Sequence, residues 1–343
     1  MSGEPEVGPA RDHYSTSAAP DVWWEAHFER AAGEIVQFFA DDQIDLAGKR
    51  LADIGCGDGI TDLGVAVLGK PERLVGFDLM DTDVADLSAN ADKFGKMSAL
   101  PDNLFFAKSG ETSLPADDDS FDVVFSWSAF EHIADPVGML REIRRVLTPQ
   151  GALFIQVWPF FDTAHGPHLV DWFPEGFAHH RLSDDEIISQ VRHSGDQRLA
   201  SEMIEVFHTL NRISADDLHA ALRKAGFRTV KLELITEGVH IPEHAGHLPF
   251  SRVALSGVKL LAIPAEPVPD LEESTSTLDT ERQAVETADA ERLAAEEARA
   301  DAEARGRAEA LSFTAAGRLA HRARQTLRRL DEKLTRWDPS GQD

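Results

Sequence analysis

One cysteine and one tyrosine stand in 343 residues. Cys56 therefore has no partner for a disulfide within the chain, which fits a reducing compartment. Basic residues are also scarce, 34 lysines and arginines against 60 aspartates and glutamates, for a formal net charge of −26. A surface of that sign repels phosphate backbones, so no nucleic-acid substrate is expected. No apolar run approaches the roughly 20 residues that span a bilayer. The opening "MSGEPEVGPARDHYSTSAAP" lacks a basic start followed by an apolar stretch, so no secretory signal is expected, and the chain reads as soluble and cytoplasmic.

What is present suits a sizeable core, with 42% hydrophobic and 27% charged residues. The length allows one large α/β domain with an appendage, or two domains. Residues 1–20, a mixture of Pro, Gly, Ser and charge, read as a disordered lead. "WWEAHFERAAGEIVQFFA" from Trp23 has helical apolar spacing. Strand candidates follow in "RLADIG", "RLVGFDL", "NLFFAK", "FDVVFSWS" and "ALFIQVWP", with a helix in "PVGMLREIRRVLTPQG" ending at Pro149. This alternation predicts a mostly parallel sheet with right-handed crossovers. The unbroken apolar centre of "FDVVFSWS" marks a strand buried on both faces.

About residues 160–210 the pattern breaks into His, Asp and aromatics, with a helix in "SDDEIISQVRHSG". This reads as an insertion that lids a site. The core resumes with a helix capped by Ser214 and ended by Gly226, then "RTVKLELIT" and "RVALSGVKLLAIP" as two strands together at one edge. The domain so defined runs over residues 21–264, followed by a linker at 265–277.

From residue 278 to 338 the chain is rich in Ala, Glu, Arg and Asp, as in a long helix or coiled coil. Seven Lys and Arg lie from Arg318 to Arg336, and Leu319, Ala323, Leu327, Leu330, Leu334 and Trp337 share one stripe. Three uses stay open: self-association or pairing with a partner helix, docking on an anionic membrane surface, or an ordinary solvated helix.

The glycines of "LADIGCGDGI" carry the chemistry. A dinucleotide loop needs a third glycine where Ile60 stands, and a Walker loop needs G-K-[ST], which is absent. Asp53, at the end of the strand, would repel a pyrophosphate and attract an ammonium. The stretch resembles motif I of the class I S-adenosylmethionine-dependent methyltransferases. "VGFDLMD", "SLPADDDSFDVVFSWSAFEHIADP" and "LREIRRVLTPQGALFIQV" resemble the later motifs of their small-molecule branch, in order, across roughly residues 22–263. Pro149-Gln150-Gly151 stands where that branch usually has P-G-G.

The resemblance implies a Rossmann-like seven-stranded mostly parallel sheet with helices on both faces, S-adenosyl-L-methionine as cofactor, and a small-molecule or glycan acceptor. It implies a cofactor set of Asp53, Gly55, Cys56, Gly57, Asp78, Leu79, Glu111 and Ser126. Asp53, Gly55 and Gly57 would line the methionine end, Asp78 would take the ribose and Leu79 would flank the adenine. Gly110-Glu111 replaces the family's Asp-Ala pair, so Glu111 is the substitute for the adenine contact.

Methyl transfer to a hydroxyl profits from a base within hydrogen-bond reach. His132 follows the fourth strand, and His168 with Asp171 would make an oriented imidazole. His165, His168 and Asp171 in the insertion, then His179 and His180, read alternatively as part of a divalent-metal site with Glu131, or as polar loop residues. His240, His244 and His247 read as an exposed loop, since Pro242 interrupts any helix there. No metal is assigned. The expected function is O-methylation of a glycan or secondary-metabolite hydroxyl. The alternatives are a catalytically idle scaffold acting through the tail, separable by cofactor binding, and a nicotinamide-dependent oxidoreductase, disfavoured by the misplaced third glycine.

Overall fold

The structure, a computed structural model, describes residues 19–95, 97–193 and 195–267. The expected N-terminal lead (all but its last two residues), most of the linker and the helical tail lie outside the described residues. The chain enters through three consecutive helical segments: α1 (Pro20–Trp24), a π-helical segment (Glu25–Ala31) and α2 (Ala32–Asp41). The core follows as β1 (Arg50–Ile54), α3 (Ile60–Gly69), β2 (Arg73–Asp78), α4 (Val84–Lys93), β3 (Leu104–Lys108) and β4 (Phe121–Trp127). Next come α5 (Pro136–Val146) and β5 (Leu147–Val157). The insertion contributes α6 (Asp184–Arg192) and α7 (Gln197–Thr209). The domain closes with α8 (Ala215–Lys224), β6 (Phe227–Thr236), the short α9 (Phe250–Val253) and β7 (Leu255–Pro264).

The seven strands form one sheet in the order β3-β2-β1-β4-β5-β7-β6. Only β7 runs antiparallel to its neighbours β5 and β6. This is the expected Rossmann-like fold, with the two final strands together at one edge. Period-2 alternation divides the sheet between two cores. Ala52, Ile54, Val124, Leu153 and Ile155 pack on one face against α5 and α8 through Met139, Leu140, Ile143 and Leu222. Leu51, Val123, Phe125 and Phe154 pack on the other against α2 through Ile35, Phe38 and Phe39. The strands run away in opposite directions from the β1–β4 pair, and in open α/β sheets ligands bind beyond the carboxyl ends of strands at such a switch point.

Two expectations need correction. The helix before β5 ends at Val146, not Pro149, and β5 starts at Leu147. Leu147 is fully buried and pairs with Phe121, while Ala152 pairs with Val123, so residues 148–151 bulge out of the ladder. The insertion holds a second helix, α7. Ala200, Met203, Ile204 and Phe207 form its apolar stripe and pack on Ile187, Ile188 and Val191 of α6. The Ser214 cap is as read: its hydroxyl accepts from Asp217 N, and the Asp217 carboxylate answers at Ser214 N.

Candidate active site

The glycine loop leaves β1 and caps α3. Gly55 has φ 84° and Gly57 φ 54°, left-handed values that L side chains adopt at a cost. A Cβ on Gly55 would fall 2.4 Å from Cβ of Ala129, so the loop rests directly on the segment after β4. A Cβ on Gly57 would meet nothing within 4 Å, leaving room for a ligand to approach the backbone. Asp78, at the end of β2, accepts from Gly57 N at 3.0 Å and from Met80 N at 2.9 Å. Its carboxylate is thereby fixed, with lone pairs to spare. Leu79 beside it is half exposed, and Glu111 is exposed.

Beyond these strand ends lies a cavity of about 490 Å³. The β1 end gives it Asp53, Cys56 and Gly57. The β4 and β5 ends give Trp127, Ser128, His132, Gln156 and Trp158. Trp23, Ala26 and Arg30 cover it from the first helical segments, and His168, Met203 and Val206 reach it from the insertion. The indole N–H of Trp23 donates to Asp58 at 2.9 Å, pinning the entry helix to the glycine loop.

Asp53 is 2% exposed and its Oδ1 has no hydrogen-bond donor. Asp62, on the first turn of α3, is fully buried, and neither of its oxygens has one. The two carboxyls face each other. Burial pushes both well above the ordinary carboxylate range, and the Asp53 charge raises Asp62 further. The pair therefore holds a proton near neutral pH. An orphaned acid lining the cavity, a fixed carboxylate at the second strand and an open glycine backbone fit S-adenosylmethionine, whose methionine end is cationic and whose ribose offers two hydroxyls. Cys56 is buried beside Thr82, and burial together with Asp62 and Asp53 pushes its thiol far up, so it is inert at neutral pH. Ser126 is fully buried and donates to Ile54 O at 2.8 Å, bracing β4 on β1.

His132 lines the cavity from the 3-10 turn Phe130–His132. Asn211 holds this turn: its side chain donates to Phe130 O at 2.7 Å and Ile133 O at 2.8 Å, and its N–H donates to Glu131 O at 2.8 Å. Thr209 donates its only hydroxyl proton to Val206 O at 2.7 Å, so at 2.7 Å from His132 Nδ1 it acts as acceptor. The His132 proton therefore sits on Nδ1, and Nε2 presents a lone pair. Burial lowers the His132 pKa and keeps the ring neutral.

His168 reaches the same place from the insertion, on a backbone with φ 62°. Its ring lies 5.4 Å from that of His132, and its Nε2 is shut from solvent without a partner. Burial, aided by His132, drives its pKa down to about 3. Glu131 is 3% exposed, neither carboxyl oxygen has a partner, and burial pushes it up to about 8. One donor atom from each of Glu131, His132 and His168 lies within 4.8 Å of the others.

Of the expected catalytic residues, His132 and His168 thus come together, while Asp171 is solvent-exposed. Glu131, Asp62, Thr209 and Asn211 were not among the expected catalytic or cofactor residues. Asp62 carried one visible signal, an acid inside the apolar run "ITDLGVAVLG". His240 and His247 are exposed, around the 3-10 turn Glu243–Ala245.

Residues 23–232 match the profile of a family described as a methyltransferase domain. A ubiquinone biosynthesis O-methyltransferase of Xanthomonas oryzae pv. oryzae is 27% identical over 146 residues, which are 40% of this chain and 57% of that protein. The chain thus spans little more than half the length of that relative. One of the same description from Xanthomonas euvesicatoria pv. vesicatoria is 23% identical over 196 residues, 53% of this chain and 78% of that protein. A crystal structure of a SAM-dependent methyltransferase from Aquifex aeolicus aligns with TM-score 0.40 at 16% identity, covering 71% of this chain and 98% of that one.

Proposed function

The chain belongs to the methyltransferase-domain family and uses S-adenosylmethionine, and from that premise we propose that it methylates an oxygen of a small acceptor. The hydroxyl would belong to a glycan or another secondary metabolite, phenols included. The observation that carries this reading is the cluster of Glu131, His132 and His168, in which both Glu131 oxygens and His168 Nε2 are unsatisfied and both histidines line the cavity. When bound, the cofactor supplies a methyl group on an electron-poor sulfur. Asp53 is the group we assign to its ammonium, Asp78 to its ribose, Leu79 and Glu111 to its adenine end. Direct displacement asks the protein only to align acceptor, methyl and sulfur and to keep water out.

An amine acceptor would need little more. A hydroxyl must lose its proton as the new bond forms, and we assign the easing of that loss to the cluster of one buried carboxyl and two imidazoles. Trp127 and Trp158 give the acceptor stacking surface, and Asp171 stands at the exposed end of the His168 loop. The relatives named as O-methyltransferases support oxygen as the receiving atom.

The test is incubation with methyl-labelled cofactor and a panel of phenols, catechols, nucleotide-sugars and glycolipids, read by product mass. Label appearing as a methyl ether supports the reading, and transfer to amines alone contradicts it. The basic stretch from Arg318 to Arg336 is assigned to self-association or partner docking. Light scattering on the full chain and on one ending at Pro264 tests this, and a monomer in both cases removes self-association.

A further inference from the structure

The geometry points to a divalent transition-metal site formed by Glu131, His132 and His168, in which the cation binds the acceptor's oxygen. This inference rests on the O-methylation reading for its purpose, but not for its ligands.

Three independent features of these residues point to a cation. First, the donor set is two imidazoles and one carboxylate, a combination that suits first-row divalent metals and leaves positions open for substrate. Second, the donors are left unsatisfied by the protein. Both oxygens of Glu131 and Nε2 of His168 are buried without partners. An orphaned buried polar atom costs on the order of 1–3 kcal/mol, more for a charged one, and one cation would satisfy all three. Third, the surroundings do for His132 what outer partners do for metal-bound histidines. Thr209 accepts from Nδ1 and leaves the Nε2 lone pair free, and Asn211 fixes the turn that carries Glu131 and His132. Donors on a cation bound at about 2.0–2.2 Å stand roughly 3 Å apart, and the donor atoms here already lie within 4.8 Å of one another.

A second cluster, Asp162, His179 and His180, has similar spacing. There the Asp162 carboxylate is already paired with Arg252, and Arg212 adds positive charge beside His179. That cluster does not share the cavity of Asp53 and Gly57, whereas His132 and His168 line it.

A cation at the first cluster would lower the pKa of a coordinated hydroxyl. The acceptor's O–H bond breaks and its proton leaves to solvent water. The oxygen pair forms the O–CH3 bond as the S–CH3 bond breaks, and that pair stays on sulfur, giving S-adenosylhomocysteine. Acceptors with two adjacent oxygens, catechols or vicinal diols, fill two open positions and are favoured.

The test uses the full chain, stripped with a chelator and titrated with Co²⁺ by visible absorption and with Zn²⁺ by calorimetry, without cofactor or acceptor. The expected result is one strong site per chain, weakened at least about tenfold in both Glu131→Gln and His168→Ala, with S-adenosylmethionine affinity and circular dichroism retained. Absence of binding up to millimolar metal overturns the inference. So does one strong site that both variants leave unchanged, which would place the metal at the Asp162 cluster or elsewhere. Metal binding that depends on these residues in a protein that methylates no oxygen would retire the O-methylation reading and leave the site standing.

Discussion

Thr209 sets the tautomer of His132. The threonine hydroxyl gives its proton to Val206 O and so must accept from Nδ1, which leaves Nε2 as a lone pair on a ring 5.4 Å from that of His168. Thr209→Val keeps the shape and removes the acceptor. Acceptor turnover should fall by about tenfold or more, as for other partners that orient a functional histidine, while cofactor affinity stays unchanged. Equal loss of both, measured by steady-state kinetics and calorimetry, would mean that Thr209 matters for folding alone.

Asp78 joins the second strand to the glycine loop through Gly57 N and is assigned to two ribose hydroxyls. Charge-assisted hydrogen bonds contribute roughly 1.5–3 kcal/mol each. Asp78→Ala should weaken cofactor binding several-fold or more in a calorimetric titration. Unchanged affinity would show that the ribose lies elsewhere.

The Asp53–Asp62 pair makes stability and cofactor binding depend on pH in opposite directions. An acid whose folded pKa is raised holds its proton longer in the folded than in the unfolded state. Its contribution to stability is therefore lost as pH rises from the ordinary carboxylate range to the raised value. Asp62→Asn removes one charge and should stabilise the cofactor-free protein on the alkaline side of neutrality by on the order of 1–3 kcal/mol, read as a raised melting temperature. The cofactor's cation favours the ionised pair, so affinity should increase with pH, with proton uptake by buffer visible in calorimetry. Asp58, Asp78 and the Cys56 thiol also face this pair; the thiol stays neutral, and the two acids oppose ionisation throughout. A flat pH profile for affinity would remove Asp53 from the ammonium site.

Gly55→Ala tests the contact between the glycine loop and the segment after β4. The new methyl would meet Ala129 Cβ at 2.4 Å on a backbone with φ 84°. Overpacking and left-handed strain together should cost at least about 2 kcal/mol. A melting temperature equal to that of the parent would mean that the loop moves away freely.

The strands were legible because each is a short apolar run closed by a turn, and "LADIGCGDGI" announced its own bend. The β5 start was not, because Leu147 joins the sheet only through a bulge opposite Phe121 that no local pattern displays. The stripe Ala200, Met203, Ile204 and Phe207 of α7 was readable at helical spacing, yet the polar residues around it hid it. His132 and His168 were visible as residue types. Their neighbours Thr209 and Asn211 were not, for they lie 77 and about 80 positions from the turn they hold, and only the fold brings them there.

The most direct measurement is a crystal structure of the full chain with S-adenosylhomocysteine. The account predicts the amine on Asp53, the ribose on Asp78, and the sulfur open towards Glu131, His132 and His168. A ligand whose sulfur is walled off from those three residues would contradict it.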